Sequence, residues 1–345
     1  MARHTLSLAF GLLLTLISLN VRADLVVLQY HHISDSTPPS TSTSVSLFEG
    51  QLDMIASQKL EVVALQTATE AALRGDLSDR KQVAITFDDA YDSVYEEAAP
   101  LLEQRDYPYT IFVNTDAVGS RGYMTWEQLR ELNEQERVTI ANHSHDHGHL
   151  ARRPDERQDD WDARVDNSLD RAQVILQEKL GINVPMFAYP YGESDKDLEA
   201  KLSDRGWIGF GQQSGAIGET SGITRLPRFP MANAYGQLGN LKDKLLSRAL
   251  PVDANELPAG VGADNPPPLE FRLPDALSVN RLSCFASGQG RIEIEEVGDS
   301  SVRITAPKAF DSRRFRYNCT HPANDGSYFW LSQQWLDLEQ PEDLI

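Results

Sequence analysis

A run of mostly apolar, β-favouring residues at 83–87 (VAITF) passes directly into two adjacent carboxylates, Asp88 and Asp89. It lacks the alternation of a half-solvated strand, so it reads as a strand buried on both faces, of the kind found in parallel sheets covered by helices. The C-terminal end of that strand then delivers acid groups to a rim. Successive strand side chains point to opposite faces, but where a strand gives way to a loop both carboxylates can turn to one site. Two carboxylates that close repel unless a cation or a shared proton compensates. Metal ligands are therefore expected elsewhere, and residues 143–149 (HSHDHGH) offer them.

Around this strand the chain alternates. Strands are predicted at 24–33, 60–65, 109–114, 138–141, 184–189 and 207–211, with a strand-like piece at 225–229. Helices are predicted at 47–59, 67–74, 94–105, 126–136, 155–180 and 195–205. Thr125 is an expected N-cap with Gln128 in the first turn, and Gly75 and Gly181 are expected helix stops. This is the rhythm of βα units, an α/β class. Seven strand candidates before residue 230 favour an irregular (β/α)7–8 barrel spanning 24–250 over the alternative, an open doubly wound sheet. Candidate site residues fall at the C-terminal ends of several strands, where barrels carry their chemistry.

The pattern changes after residue 250. Residues 251–268 hold five prolines and read as a linker. Residues 269–345 show short alternating strands without helical period, a small all-β sandwich-like domain. The only cysteines, Cys284 and Cys319, fall here. In a secreted chain the pair reads as a disulfide. Two free buried thiols are the alternative.

Secretion is itself an expectation from the N-terminus. Arg3, an apolar run at 6–19 and Val21-Arg22-Ala23 read as a signal peptide over 1–23. The run is short for a membrane span, so no transmembrane segment is expected after its removal. The expected location is periplasmic or extracellular. A hydrophobic content of 41% supports a proper core, while the net charge of −19 argues against nucleic acid as a partner. Removing Arg3 and Arg22 makes the remainder more acidic still.

His143 and His147 are spaced i, i+4, as are His145 and His149. On a helical turn such a pair shares a face and can grip one metal. One Asp with two His leaves open positions for water and substrate, as a catalytic metal requires. Three segments now stand in order: TFDDA at 86–90, HSHDH at 143–147 and FAYPYG at 187–192. Together they resemble the signature motifs of the polysaccharide deacetylases, the NodB-homology group known as carbohydrate esterase family 4. The likeness covers about residues 26–232. It implies an irregular (β/α) barrel and metal-dependent removal of acetyl groups from N-acetylated sugars.

Carried over residue by residue, the resemblance makes Asp88 the general base and Asp89, His143 and His147 the metal ligands. Ser144 matches a small hydroxyl position that steadies the loop. Tyr191 stands where a backbone N–H helps hold the oxyanion. Zinc is the default ion, with cobalt, nickel or iron also compatible with such donors. The chain departs from the pattern twice. Ala188 replaces an Arg near the base, and RLPRFPM at 225–231 has Arg228 but no acid His. The acid is then expected from Tyr30-His31-His32-Ile33, which resembles the Tyr-His element of periplasmic poly-N-acetylglucosamine deacetylases with permuted motif order. By that match His31 protonates the leaving amine. Tyr189, Tyr191 and Arg228 are the substrate- or oxyanion-facing candidates, and Arg228 also a replacement for the missing charge beside Asp88. Tyr91, Tyr123, Trp126 and Trp207 read as rim stacking or plain packing.

The expected substrate is an N-acetylglucosamine-containing glycan of the poly-β-1,6 kind or a related one. A glycan-binding or export-accessory protein and an O-acetyl esterase are the other readings. For the C-terminal domain, glycan binding and docking of a protein partner stay equally open.

Overall fold

The computed structural model describes residues 24–342 other than Asp79, Ala263 and Asp299, so the expected signal peptide lies outside the described residues. The central strand, β2 (Gln82–Asp88), is buried from Val83 onward. Its neighbours β1 (Leu25–Tyr30) and β3 (Tyr109–Val113) are buried throughout. Such strands need cover on both faces, and the intervening helices supply it. Beyond β3 the sheet continues through β4 (Val138–Asn142), β5 (Met186–Ala188) and β6 (Ile208–Phe210), each parallel to the last. On the other side β1 pairs parallel with β2 and antiparallel with β7 (Ala216–Ile217).

The sheet then curls until its edges are bridged by one segment. Leu226 makes a parallel bridge to Phe210, and β8 (Phe229–Pro230) pairs with Leu28 and Gln29 of β1. The expected strand-like piece is therefore the closing staple of a barrel-like sheet, with Arg228 at its middle.

Strand parity decides what enters the barrel. Val83, Ile85 and Phe87 pack in one core cluster with Phe48, Leu52 and Ile55 of α1 (Val45–Ser57) and Leu129 and Leu132 of α4 (Trp126–Asn133). Ala84, Ala141, Ala188, Phe112 and Phe210 join Leu25 and Val27 in the other, together with α2 (Leu65–Arg74). Gln29, Asp88 and His143 continue this second register by period two. Polar groups thus follow small and aromatic residues along one face and emerge at the strand ends.

Local chemistry sets the helix bounds. Ser44 accepts the Leu47 N–H and starts α1 two residues before its apolar spacing does. Thr125 and Gln128 form a reciprocal capping box at α4. A π-helical turn, Val94–Ala98, leads into α3 (Ala99–Glu103). The long helix α5 begins at Gln158, since Asp155 sits at φ +60°, and ends at Gly181 in the left-handed region (Gln158–Leu180). Asp195 caps α6 (Lys196–Asp204) by accepting from Leu198.

The C-terminal part has no α-helix among the described residues. One sheet joins β10 (Ser283–Ala286), β11 (Gly290–Ile292), β14 (Arg314–Pro322) and β15 (Tyr328–Leu336), with Arg248–Ala249 paired parallel to β15 as its fifth strand; the other joins β9 (Leu269–Arg272), β12 (Ile294–Gly298) and β13 (Ser301–Ile304). Val252 and Leu257, from the proline-rich segment, are buried in the same core as Leu269, Phe271 and Trp335. Cys284 and Cys319 are directly opposed in register on β10 and β14 and form a disulfide. Closing that loop stabilises the folded domain by about 3–4 kcal/mol on the chain-entropy model. Chemical denaturation of a Cys284→Ala/Cys319→Ala variant is expected to show that loss. An unchanged midpoint would mean the strand pairing alone holds this domain.

Candidate active site

Asp88 ends β2 on the inner face with no exposed surface. Arg228, equally buried, donates Nη1–H to Asp88 Oδ1 at 2.7 Å and Nη2–H to Oδ2 at 2.8 Å. Gln29 Nε2 adds a third donor to Oδ2 at 2.6 Å. Burial pushes the carboxyl up, but the Arg228 charge outweighs it and brings the pKa to about 2. Arg228 itself is held by the Gly211 carbonyl and reaches Thr86 Oγ1. Its guanidinium therefore lies against Asp88, forked on both carboxylate oxygens.

The chain reverses immediately after Asp88. Asp89 and Ala90 both have left-handed φ, +77° and +59°, so Asp89 is swung back beside Asp88. Ser144, His147 and Tyr191 are also left-handed. Each such conformation costs on the order of 1–3 kcal/mol for a residue other than glycine and persists only where its surroundings over-determine it. Their gathering around one spot marks the site independently of any motif.

Asp89, His143 and His147 place one ligand atom each within 4.8 Å of one another. His143 Nε2 is 3.4 Å and His147 Nε2 3.1 Å from Asp89 Oδ1. The stretch 143–149 is not helical, contrary to the helical-turn reading. His143 follows the end of β4, and His147 returns through a turn in which Ser144 Oγ accepts the His147 N–H at 3.1 Å. His143 Nδ1 lies 2.7 Å from the Ala188 carbonyl, so it carries the proton and Nε2 presents a lone pair. Buried Asp89 Oδ1 and His143 Nε2 have no hydrogen-bond partner. Acceptors that converge in this way fit a divalent cation.

The other His pair does something different. His145 Nδ1 lies 2.9 Å from Thr115 Oγ1, and His149 Nδ1 lies 3.1 Å from buried Glu193. His31 follows β1, half-buried and within electrostatic reach of Asp89, Asp88 and His143. Burial lowers its pKa against the pull of the two carboxylates. His32 stacks on Tyr91 with ring centroids 3.5 Å apart. Tyr191 packs edge-on against His147 at 4.8 Å. Tyr189 corrects an expectation. Its ring is fully buried against Phe187, and its hydroxyl donates to the Thr224 carbonyl at 2.7 Å, so its side chain cannot meet a sugar. The 3-10 turn Pro190–Gly192 explains the difference, because Tyr189 precedes it while Tyr191 sits within it at φ +58°, so the two side chains leave the backbone in different directions.

Carboxylates and imidazoles converge at the strand ends of a barrel-like parallel sheet, which is where α/β barrels carry their catalytic groups. Residues 76–207 match the family model described as polysaccharide deacetylase. The chain is 25% identical over 206 residues to the poly-beta-1,6-N-acetyl-D-glucosamine N-deacetylase of Staphylococcus aureus (strain MRSA252), covering 58% of this chain and 71% of that protein. The solved structure of IcaB from Ammonifex degensii superposes with a TM-score of 0.54 at 26% identity, covering 64% of this chain and 94% of that one. The Streptococcus pyogenes deacetylase PplD in complex with acetate shares the fold at a TM-score of 0.55 and 21% identity, over 61% of this chain and 94% of its own. Over residues 76–207 the chain thus matches the polysaccharide deacetylase family model, and its fold is similar to that of the solved deacetylases.

Proposed function

We propose that this protein is a secreted, metal-dependent N-deacetylase of a glycan rich in N-acetylglucosamine, of the poly-β-1,6 kind or closely related to it. The observation that carries the reading is the convergence of Asp89, His143 and His147 beside an Asp88 held ionised by Arg228. The substrate class is supported by the named activity of the staphylococcal relative. Export is supported by the apolar N-terminal run and by the Cys284–Cys319 disulfide, a bond of oxidising compartments. Among the described residues no helix is long and apolar enough to cross a membrane.

In this reading Asp89, His143 and His147 hold the ion, with zinc the first choice for such donors. A divalent ion bound there supplies Lewis acidity, lowering the pKa of a water and polarising the acetyl carbonyl. Asp88 accepts the proton of the attacking water as its oxygen bonds to the carbonyl carbon. The Tyr191 backbone N–H faces the oxygen that gains charge. His31 gives a proton to the amide nitrogen as the C–N bond breaks, so that acetate and a free amine leave.

The test is acetate release from N-acetylglucosamine oligomers by the purified protein. Turnover is expected, is lost on thorough chelation and returns with added zinc. Release that survives chelation would sink the metal-dependent reading. Sugar binding without release would point instead to an accessory glycan-binding protein, and release from O-acetyl substrates alone to an esterase.

A further inference from the structure

Among its several contacts with the deacetylase domain, the C-terminal β domain grips one turn next to the site. Glu193 follows the Pro190–Gly192 turn, and its side chain is fully buried. Three basic groups converge on it. Arg313 donates Nε–H to Oε1 at 2.8 Å and Nη2–H to Oε2 at 3.3 Å. Arg314 donates Nη1–H to Oε1 at 2.9 Å, and His149 Nδ1 lies 3.1 Å from Oε2. Both arginines belong to the C-terminal domain, at the start of β14. From the paired strand β15, Gln334 donates to the carbonyl of Gly192.

The turn has two backbone bonds of its own, from Gly192 N–H to the Tyr189 carbonyl at 2.9 Å and from Glu193 N–H to the Pro190 carbonyl at 3.2 Å, yet its conformation is unusual. Tyr191 and Gly192 are consecutive left-handed residues, at φ +58° and +69°. A side chain at Gly192 would strike Gln212, with Cβ 2.7 Å from its Cβ and 2.9 Å from its backbone nitrogen. Tyr191 is instead clamped between neighbours. The His149 ring stacks flat on it at 3.9 Å and 4°, the Arg314 guanidinium lies over its ring at 5.2 Å, and its edge meets His147 at 4.8 Å.

We propose that Arg313, Arg314 and Gln334 of the C-terminal domain are positioning residues of the deacetylase site, locking the Pro190–Gly192 turn so that Tyr191 is held against His147. The proposal rests on the metal-site reading above, since it acts through His147 and through the Tyr191 backbone N–H. It assigns the C-terminal domain a part in the reaction rather than a separate errand. A buried carboxylate shared by two guanidinia is rigid, because its oxygens are satisfied only in one arrangement. Rigid support of this kind keeps a donor within the narrow tolerance that catalysis demands.

The test uses the full-length zinc protein and three variants, Arg314→Ala, Glu193→Gln and Gln334→Ala. Arg314→Ala is the safest, for it leaves the buried Arg313–Glu193 pair in place. Turnover per folded molecule is expected to fall roughly 10- to 100-fold, with KM little changed. Arg314→Lys should recover part of it by restoring the cation. The cobalt(II) form should show an altered d–d absorption in Arg314→Ala and Glu193→Gln, because His147 loses its packed neighbour. That readout does not depend on activity. Loss of thermal stability with unchanged turnover per folded molecule and an unchanged cobalt spectrum would overturn the proposal, leaving the three residues as interdomain glue. A wild-type protein that neither binds cobalt nor releases acetate would overturn the underlying reading as well, a result distinct from variants that match an active wild type.

Discussion

An Asp88→Asn protein is expected to lose turnover by roughly 10²- to 10⁴-fold, the range removed with a positioned general base, while still binding its metal. The amide cannot take up the water's proton, yet Asp89, His143 and His147 are untouched. The variant also leaves Arg228 buried beside a neutral group. Removing one partner of a buried ion pair costs about 3–5 kcal/mol, so the melting temperature should fall too. Activity must therefore be expressed per folded molecule and metal content measured in parallel. Turnover within an order of magnitude of wild type would remove Asp88 from the mechanism.

Replacing Arg228 with Met should be nearly as damaging by a different route. The side chain is fully buried, and both Asp88 oxygens depend on it. Without the guanidinium, burial acts on Asp88 largely unopposed and its pKa rises from about 2. The sign follows from linkage. A carboxyl held below its unfolded value near 3.9 contributes stability above that pH, and loses it as pH falls towards 2. In Arg228→Met that contribution vanishes, stability drops by about 3–5 kcal/mol, and the acid limb of kcat/KM moves to higher pH. Arg228→Lys should fall between, since an ammonium keeps the charge but not the two-pronged geometry. An acid limb that stays where wild type has it would separate Arg228 from the ionisation of Asp88.

Much of the architecture could be read along the chain because it is set locally. The apolar run at 83–87 demanded a strand covered on both faces, and β2 is one. Thr125 with Gln128, and Gly75 and Gly181, mark helix ends through groups a few residues away. The helical reading of 143–149 failed for a physical reason. The i, i+4 spacing specifies a face only if a helix forms, and here a strand end and a left-handed turn deliver the same two imidazoles to one point.

What the sequence by itself determined is chemistry at short range: which segments are strands, where helices begin and stop, and that two carboxylates and several imidazoles must stand at strand ends. Only the tertiary structure decided their company. Arg228 meets Asp88 across 140 positions because residues 226–230 bridge both sheet edges, and Glu193 meets Arg313 across 120 because the β14–β15 hairpin abuts one turn. A buried charge takes whichever opposite charge the closed fold sets within reach, and no local pattern encodes that distance.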